Sequence, residues 1–263
     1  MKIPQLRKEE EEKTCHGYTW YDNYSWVHQD NCLEILRDKS KLNPEVRKYL
    51  EEENIYTQKN MKDTENLQKK LFKEIEGRIK LDDESLKYKD KNYQYWTKTT
   101  KEGDYPKLIR KKIGKEEIET YWDGDLKAKG KKFFNTGDIE VSNNDKMLAY
   151  SVDDKGSEYF TIFVRNISDG KKMEDSIQET SGGITWAYDD KSFFYSKLDK
   201  LHRPRQIFQH IIGTQSKDDK LIFEEKDERF TCGLGLSSDE QFYFISTSEH
   251  TTSEIYFIDK NDE

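Results

Sequence analysis

The chain has 263 residues and a formal net charge of −8, with 37% charged, 33% hydrophobic and 13% aromatic residues. A chain of this length buries about 70–75% of its unfolded surface, and its 16 Tyr and 13 Phe suit strands with one wet face, which argues against disorder. The acidic balance, with no basic stripe, disfavours nucleic-acid binding, and no apolar run approaches the roughly 18–20 residues that cross a bilayer.

In chain order, Met1-Lys2-Ile3-Pro4-Gln5 lacks the hydrophobic region of an export signal. Cys15, Cys32 and Cys232 are odd in number and widely spaced, which fits a reducing cytoplasm better than a disulfide framework. The run Lys8-Glu9-Glu10-Glu11-Glu12-Lys13 is expected to be a solvated, mobile N-terminus. Residues 14–30 hold Tyr18, Trp20, Tyr21, Tyr24 and Trp26 in a polar context, and are expected to form an extended arm that packs its rings on something larger. Asn43-Pro44 is a helix start, with Asn as N-cap and Pro at the first helical position. The helix is expected to run to about residue 79, carrying a one-sided stripe of Met61, Leu67, Leu71, Ile75 and Ile79, with Gly77 weakening its last turn. Plain packing accounts for the stripe.

After residue 80 the period changes. Tyr93–Thr97 reads as a strand, Gly103-Asp104-Tyr105-Pro106 as a turn and Leu108–Ile113 as a second strand. The highly charged segment 115–132 is expected to hold a short helix or loop. Three similar phrases follow, Val141–Ser151, Trp186–Ser196 and Leu236–Ser246, whose closing serines lie 45 and 50 residues apart. Each reads as a strand, a polar turn built on Asn or Asp, and a second strand rich in aromatics. Self-similarity at about 40–50 residues marks a β-propeller with one blade per copy. The expected organisation is an α-helical N-terminal extension over 1–80 and a mainly β, propeller-like domain over 81–263, with Tyr93–Ile113 as a faint earlier blade.

The residues supply no self-contained catalytic constellation. The nucleophile elbow Gly-x-Ser-x-Gly is absent, and the nearest miss, Gly235-Leu236-Ser237-Ser238-Asp239, falls inside a repeat phrase and is explained as a blade turn. The five histidines, His16, His28, His202, His210 and His250, include no pair at ligand spacing on a helix, and Cys15-His16 has no companion ligand nearby. Gly233-Leu234-Gly235 lacks the third glycine and following helix of a phosphate-binding loop. Acid pairs such as Asp82-Asp83-Glu84 and Asp153-Asp154 read as solvated. His202-Arg203-Pro204-Arg205 reads as a hairpin loop of the second repeat. No catalytic, cofactor-binding or metal-ligating residue is therefore named.

The phrases resemble the N-terminal part of oligopeptidase B (protease II), a branch of the prolyl oligopeptidase family of serine peptidases, over essentially the whole chain. The resemblance rests first on Asp22-x-Tyr24-x-Trp26, on Tyr49-Leu50-Glu51-Glu52-Glu53-Asn54-Ile55-Tyr56-Thr57 and on Tyr105-Pro106. It continues through Leu148-Ala149-Tyr150-Ser151-Val152-Asp153 with Gly156-Ser157-Glu158, and through Gly182-Gly183-Ile184-Thr185-Trp186-Ala187. Arg203-Pro204, Asp227-Glu228-Arg229-Phe230 and His250-Thr251-Thr252-Ser253-Glu254 complete it. The chain departs from the usual pattern in having Ser142-Asn143-Asn144 for Ser-Pro-Asp at the blade turn, and Val27-His28-Gln29-Asp30 where Arg-Asp closely follows Trp26.

The resemblance implies an N-terminal segment packed beside a C-terminal α/β-hydrolase domain, which supplies the whole Ser-Asp-His triad. It also implies a seven-bladed propeller that covers the active site, and short peptide substrates cleaved after Lys or Arg, with no metal or organic cofactor. At 45–50 residues per blade, the chain after residue 80 accommodates about four blades. It closes on Asp259-Lys260-Asn261-Asp262-Glu263 at an apparent inter-strand turn, so it is expected to be a fragment or truncated product, inactive alone and cytoplasmic. Two other readings differ in class. One is a stand-alone propeller-like module that binds a protein or peptide without catalysis. The other is a propeller glycosidase or lectin, which has only acids and aromatics in its favour.

Overall fold

The computed structural model describes residues 2–260, so Asn261-Asp262-Glu263, the end of the expected closing turn, lie outside the described residues. The chain divides into two compact units, the first ending at Leu81 and the second beginning at Asp82.

The first unit opens with a hairpin rather than a mobile terminus and extended arm. Strands β1 (Glu11–Cys15) and β2 (Tyr18–Asp22) pair antiparallel, with Cys15 opposite Tyr18. His16 and Gly17 form the two-residue turn, at φ 51° and 80°, a left-handed pair whose twist matches that of a hairpin. Arg7 lies over the Trp26 ring and is paired with Glu9 and Glu45, which ties down the segment before β1. After α1 (Cys32–Arg37), α2 (Pro44–Met61) begins as its sequence dictates: Asn43 Oδ1 accepts the Glu45 N–H at 2.8 Å and Pro44 fills the first turn.

The expected single helix to residue 79 is two. A 3₁₀ turn over Lys62–Thr64 separates α2 from α3 (Glu65–Glu76), and Gly77 follows α3 as its C-cap. Thr64 Oγ1 donates to the Met61 carbonyl at 2.6 Å, so a side chain competes for a carbonyl at the end of α2. The apolar stripe of α3 is uncovered, with Leu67, Leu71, Phe72 and Ile75 all exposed.

The second unit is built from antiparallel strands in chain order. The first blade holds β3 (Asp83–Glu84), β4 (Tyr88–Asp90), β5 (Tyr93–Thr99), β6 (Lys107–Lys112) and β7 (Ile118–Asp123). Strand β7 occupies part of the charged segment expected to be helix or loop, and only α4 (Gly124–Ala128) there is helical. Strand β7 is held by Tyr121 and Trp122, both buried.

The second blade holds β8 (Asn135–Val141), β9 (Met147–Asp153), β10 (Phe160–Asn166) and the first half of β11 (Lys172–Trp186). The second half of β11 starts the third blade with β12 (Ser192–Leu198), β13 (Pro204–Ile211) and β14 (Lys220–Glu224). The fourth blade holds β15 (Thr231–Leu236), β16 (Phe242–Ser248) and β17 (Ser253–Asp259). The sheets do not close on themselves.

One backbone bond recurs in all four blades. Ile113 N–H donates to Asn92 O, Ile167 to Lys146, Ile212 to Lys191 and Lys260 to Gln241. This establishes Tyr93–Ile113 as a blade of the same kind as the three legible repeats. The polar turns repeat too. Asn144, Asp189 and Asp239 each accept, through Oδ1, the N–H two residues on. The residues that follow them, Asp145, Asp190 and Glu240, all adopt positive φ.

The core lies between blades. Tyr95, Tyr121, Trp122, Leu148 and Tyr150 join the first to the second. Ala149, Ile162, Val164, Ile177, Trp186 and Phe193 join the second to the third. Phe194, Ile207, Cys232, Tyr243 and Ile245 join the third to the fourth. Period-2 alternation sends neighbours such as Phe193 and Phe194 to opposite interfaces. Each such apolar side chain contributes about 1.5–3 kcal/mol on full burial.

Candidate functional site

The first strand and first turn of every blade converge on one cavity of about 370 Å³. Asp90 and Lys91 come from the first blade, Asp138, Glu140 and Asn143 from the second, Ile184 to Trp186 from the third, and Leu236 and Glu240 from the fourth. The turns are fastened to one another. Asn92 Nδ2 donates to Asp145 Oδ2 at 3.0 Å, Asn143 Nδ2 to the Ala187 carbonyl at 2.9 Å, and the Asn144 N–H to Asp190 Oδ1 at 3.2 Å. Lys91 Nζ donates to Asn143 Oδ1 at 2.7 Å and stands 3.9 Å from Glu240 Oε1, so one side chain of the first blade reaches the second and the fourth.

The wall is acidic: four carboxylates against one lysine. Asp138 is fixed by the Ile184 N–H, which donates to its Oδ2 at 3.1 Å, and Glu140 lends its carbonyl to Trp186 Nε1 at 3.0 Å. Burial, and then the neighbouring Asp138, push the Glu140 carboxyl up to about 8, while Lys91 opposes the rise. Near neutral pH Glu140 therefore holds a proton that an exposed glutamate would have lost. The arrangement offers hydrogen-bond acceptors and negative charge to a cationic or amide-bearing group. It contains no activated nucleophile.

The motifs singled out in the sequence are placed elsewhere. Ser237 Oγ accepts the Phe242 N–H at 3.0 Å, as Ser142 Oγ accepts that of Met147 at 2.9 Å, so the near-miss serine is a turn residue. Cys15 is exposed at the β1–β2 turn beside His16. His202 and Arg203 lie in the β12–β13 connection as expected, whereas Pro204 and Arg205 open β13, with Arg205 on Asp199 at 2.7 Å. Asp153 accepts N–H bonds from Lys155, Gly156, Ser157 and Glu158. It thus organises the β9–β10 loop, whereas Asp154 pairs with Lys131. Gly233 and Gly235 lie within β15. Among the described residues no three His, Cys, Asp or Glu side chains are grouped to hold a metal ion, and no helix is long and apolar enough to cross a membrane. The acidic wall was not anticipated as a site. Asp138 and Glu140 precede the repeat phrase and sit some fifty residues from their neighbours across the cavity.

Comparison with known proteins gives a consistent picture. Residues 4–263 match the family model described as the prolyl oligopeptidase N-terminal beta-propeller domain. Dipeptidyl aminopeptidase BI of Pseudoxanthomonas mexicana is 30% identical over 92% of this chain and 35% of its own length. Protease 2 of Moraxella lacunata is 26% identical over 98% of this chain and 37% of its own. The structure of oligopeptidase B from Leishmania major superposes with a TM-score of 0.89 at 24% identity, covering all of this chain and 38% of the other. The chain thus spans little more than a third of the proteins it matches.

Proposed function

Because this chain belongs to the prolyl oligopeptidase family, as its N-terminal β-propeller domain, we propose that it is the gating portion of a serine oligopeptidase acting on short peptides, with preference for those bearing Lys or Arg. In this reading a C-terminal α/β-hydrolase domain carries the nucleophile, base and oxyanion donors, and the chain alone is inactive. The propeller admits substrates by size and charge. The observation that carries the reading is the acidic wall: three blades bring Asp90, Asp138, Glu140 and Glu240 to one cavity, where Lys91 meets Glu240, and such a surface favours cationic peptides. The relatives carry names of different specificities, from dipeptidyl aminopeptidase to prolyl endopeptidase, so the preference for basic residues rests on this charge pattern and on the likeness to oligopeptidase B.

Two measurements test the reading. The purified chain, given an Arg-containing fluorogenic peptide, is expected to show no turnover, and cleavage abolished by a serine-directed inhibitor would sink the claim of inactivity. Co-expression with the hydrolase portion of a family relative is expected to restore turnover. In that complex Asp90→Asn with Asp138→Asn should lower kcat/KM several-fold for dibasic peptides and leave neutral ones unchanged. Equal effects on both would remove the charge-gating argument. A stand-alone binding module would instead be monodisperse without the second portion and unaffected by it.

A further inference from the structure

Away from the acidic wall, His210 of β13 is fully buried between two aspartates. Its Nδ1 lies 2.7 Å from Asp219 Oδ1 and its Nε2 lies 2.9 Å from Asp175 Oδ1, and all three side chains are about 1% exposed. Asp175 belongs to the outer strand of the second blade, in the first half of β11, while His210 and Asp219 belong to the third. The group therefore spans a blade junction with charged side chains, on the outer strands and away from the apolar cluster of Ile162, Ile177 and Trp186.

The remaining partners complete the network. Asp175 Oδ1 also accepts the Gly213 N–H at 2.6 Å. Asp219 Oδ2 accepts the Tyr195 hydroxyl at 2.8 Å. Burial, followed by Asp219, holds that hydroxyl well above its ordinary range, so it remains a donor. Each ring nitrogen thus faces a buried aspartate oxygen, and a ring that donates from both nitrogens is an imidazolium.

We propose that His210 is a charged clasp between the second and third blades, an imidazolium shared by Asp175 and Asp219 whose deprotonation releases the outer half of that junction. The titratable groups facing the ring are Asp175 from β11 and Asp219 from the segment before β14, with Tyr195 of β12 behind Asp219. Phe193 of β12 lies against the ring face, with centroids 5.2 Å apart. Loss of the ring proton leaves two buried carboxylates facing one neutral base, and like charges left unpaired there repel. The device depends on the junction alone and not on the peptidase reading.

The test uses the 263-residue chain with labelled histidine. At pH 7.5, where an ordinary imidazole is mostly neutral, one of the five rings is expected to show both nitrogens protonated, and His210→Gln should remove that signal. Five neutral rings would overturn the proposal. Should His210→Gln fail to fold, Tyr195→Phe keeps the test open, because weakening Asp219's support should shift the same signal and no other. Hydrogen exchange gives the consequence. From pH 7 to 9, after correction for the intrinsic rise, amides of β11 and β13 should lose protection several-fold while those of β5 and β6 do not. A uniform change across all blades would also overturn it.

Discussion

Glu140 shows how much one position depends on its surroundings. Its carboxyl, held up to about 8 by burial and by Asp138, keeps its proton in the folded chain long after an unfolded chain would release it near 4.5. Between those two values unfolding releases a proton, so the folded state loses stability as pH rises through that window. Glu140→Gln removes the slope. Chemical denaturation of the isolated chain should show the variant gaining on the parent from pH 5 to 8, with the two converging below about pH 4.5. A difference that stays constant with pH would mean that Glu140 is ionised throughout. Cys232 makes a second test at this scale. It is buried against Phe194 and Ile207, and burial pushes its thiol up to about 11, whereas Cys15 and Cys32 are exposed. A thiol reagent at pH 8 should modify two cysteines quickly and the third only on unfolding. Three equal rates would place Cys232 at the surface.

At the scale of the element, β11 carries the fold from the second blade to the third, and it does so at a bend. Its register shifts between Thr180 and Ile184, Glu179 adopts φ 62°, and Gly182 adopts φ 98°. A Cβ at Gly182 would stand 3.0 Å from the Phe160 ring, whereas a Cβ at Gly183 meets nothing within 4 Å. Gly182→Ala should therefore cost on the order of 1–3 kcal/mol in equilibrium unfolding, and Gly183→Ala close to nothing. Similar losses for both would mean that the bend tolerates a side chain. The three blade phrases were legible because each repeats an Asn or Asp turn before an aromatic strand. The β1–β2 hairpin was not, since its turn pairs a single glycine with His16, and β7 was hidden because its six residues, Ile118–Asp123, are set in a highly charged segment. The acidic wall and the His210 clasp were invisible for a different reason. His210 is 35 residues from Asp175, and nothing local marks residues that meet only when blades pack.

For the propeller unit the decisive contrast is between strands covered on both faces and strands covered on one. From Ser192 to Ser196, β12 is buried at every position, because blades lie on both sides of it. Strand β16 alternates instead: Tyr243, Ile245 and Thr247 are buried against the third blade, while Phe244 is 39% exposed. Phe257, directly opposite Phe244 in register, is 67% exposed, and Ile255 is 65% exposed. An apolar face of this kind invites association, and in the proposed enzyme a further blade would cover it. Phe244→Ser with Phe257→Thr should reduce apolar-dye fluorescence and concentration-dependent light scattering of the isolated chain. Its stability should change by no more than about 0.5 kcal/mol, as for exposed positions elsewhere. Ile245→Ala, one residue away but facing the third blade at 3% exposure, should cost about 2–5 kcal/mol and leave dye binding undiminished. If the double variant lost as much stability as Ile245→Ala, Phe244 and Phe257 would be part of a core already complete within this chain. If only the dye signal falls, the fourth blade presents a finished inner face and an outer one built to be covered.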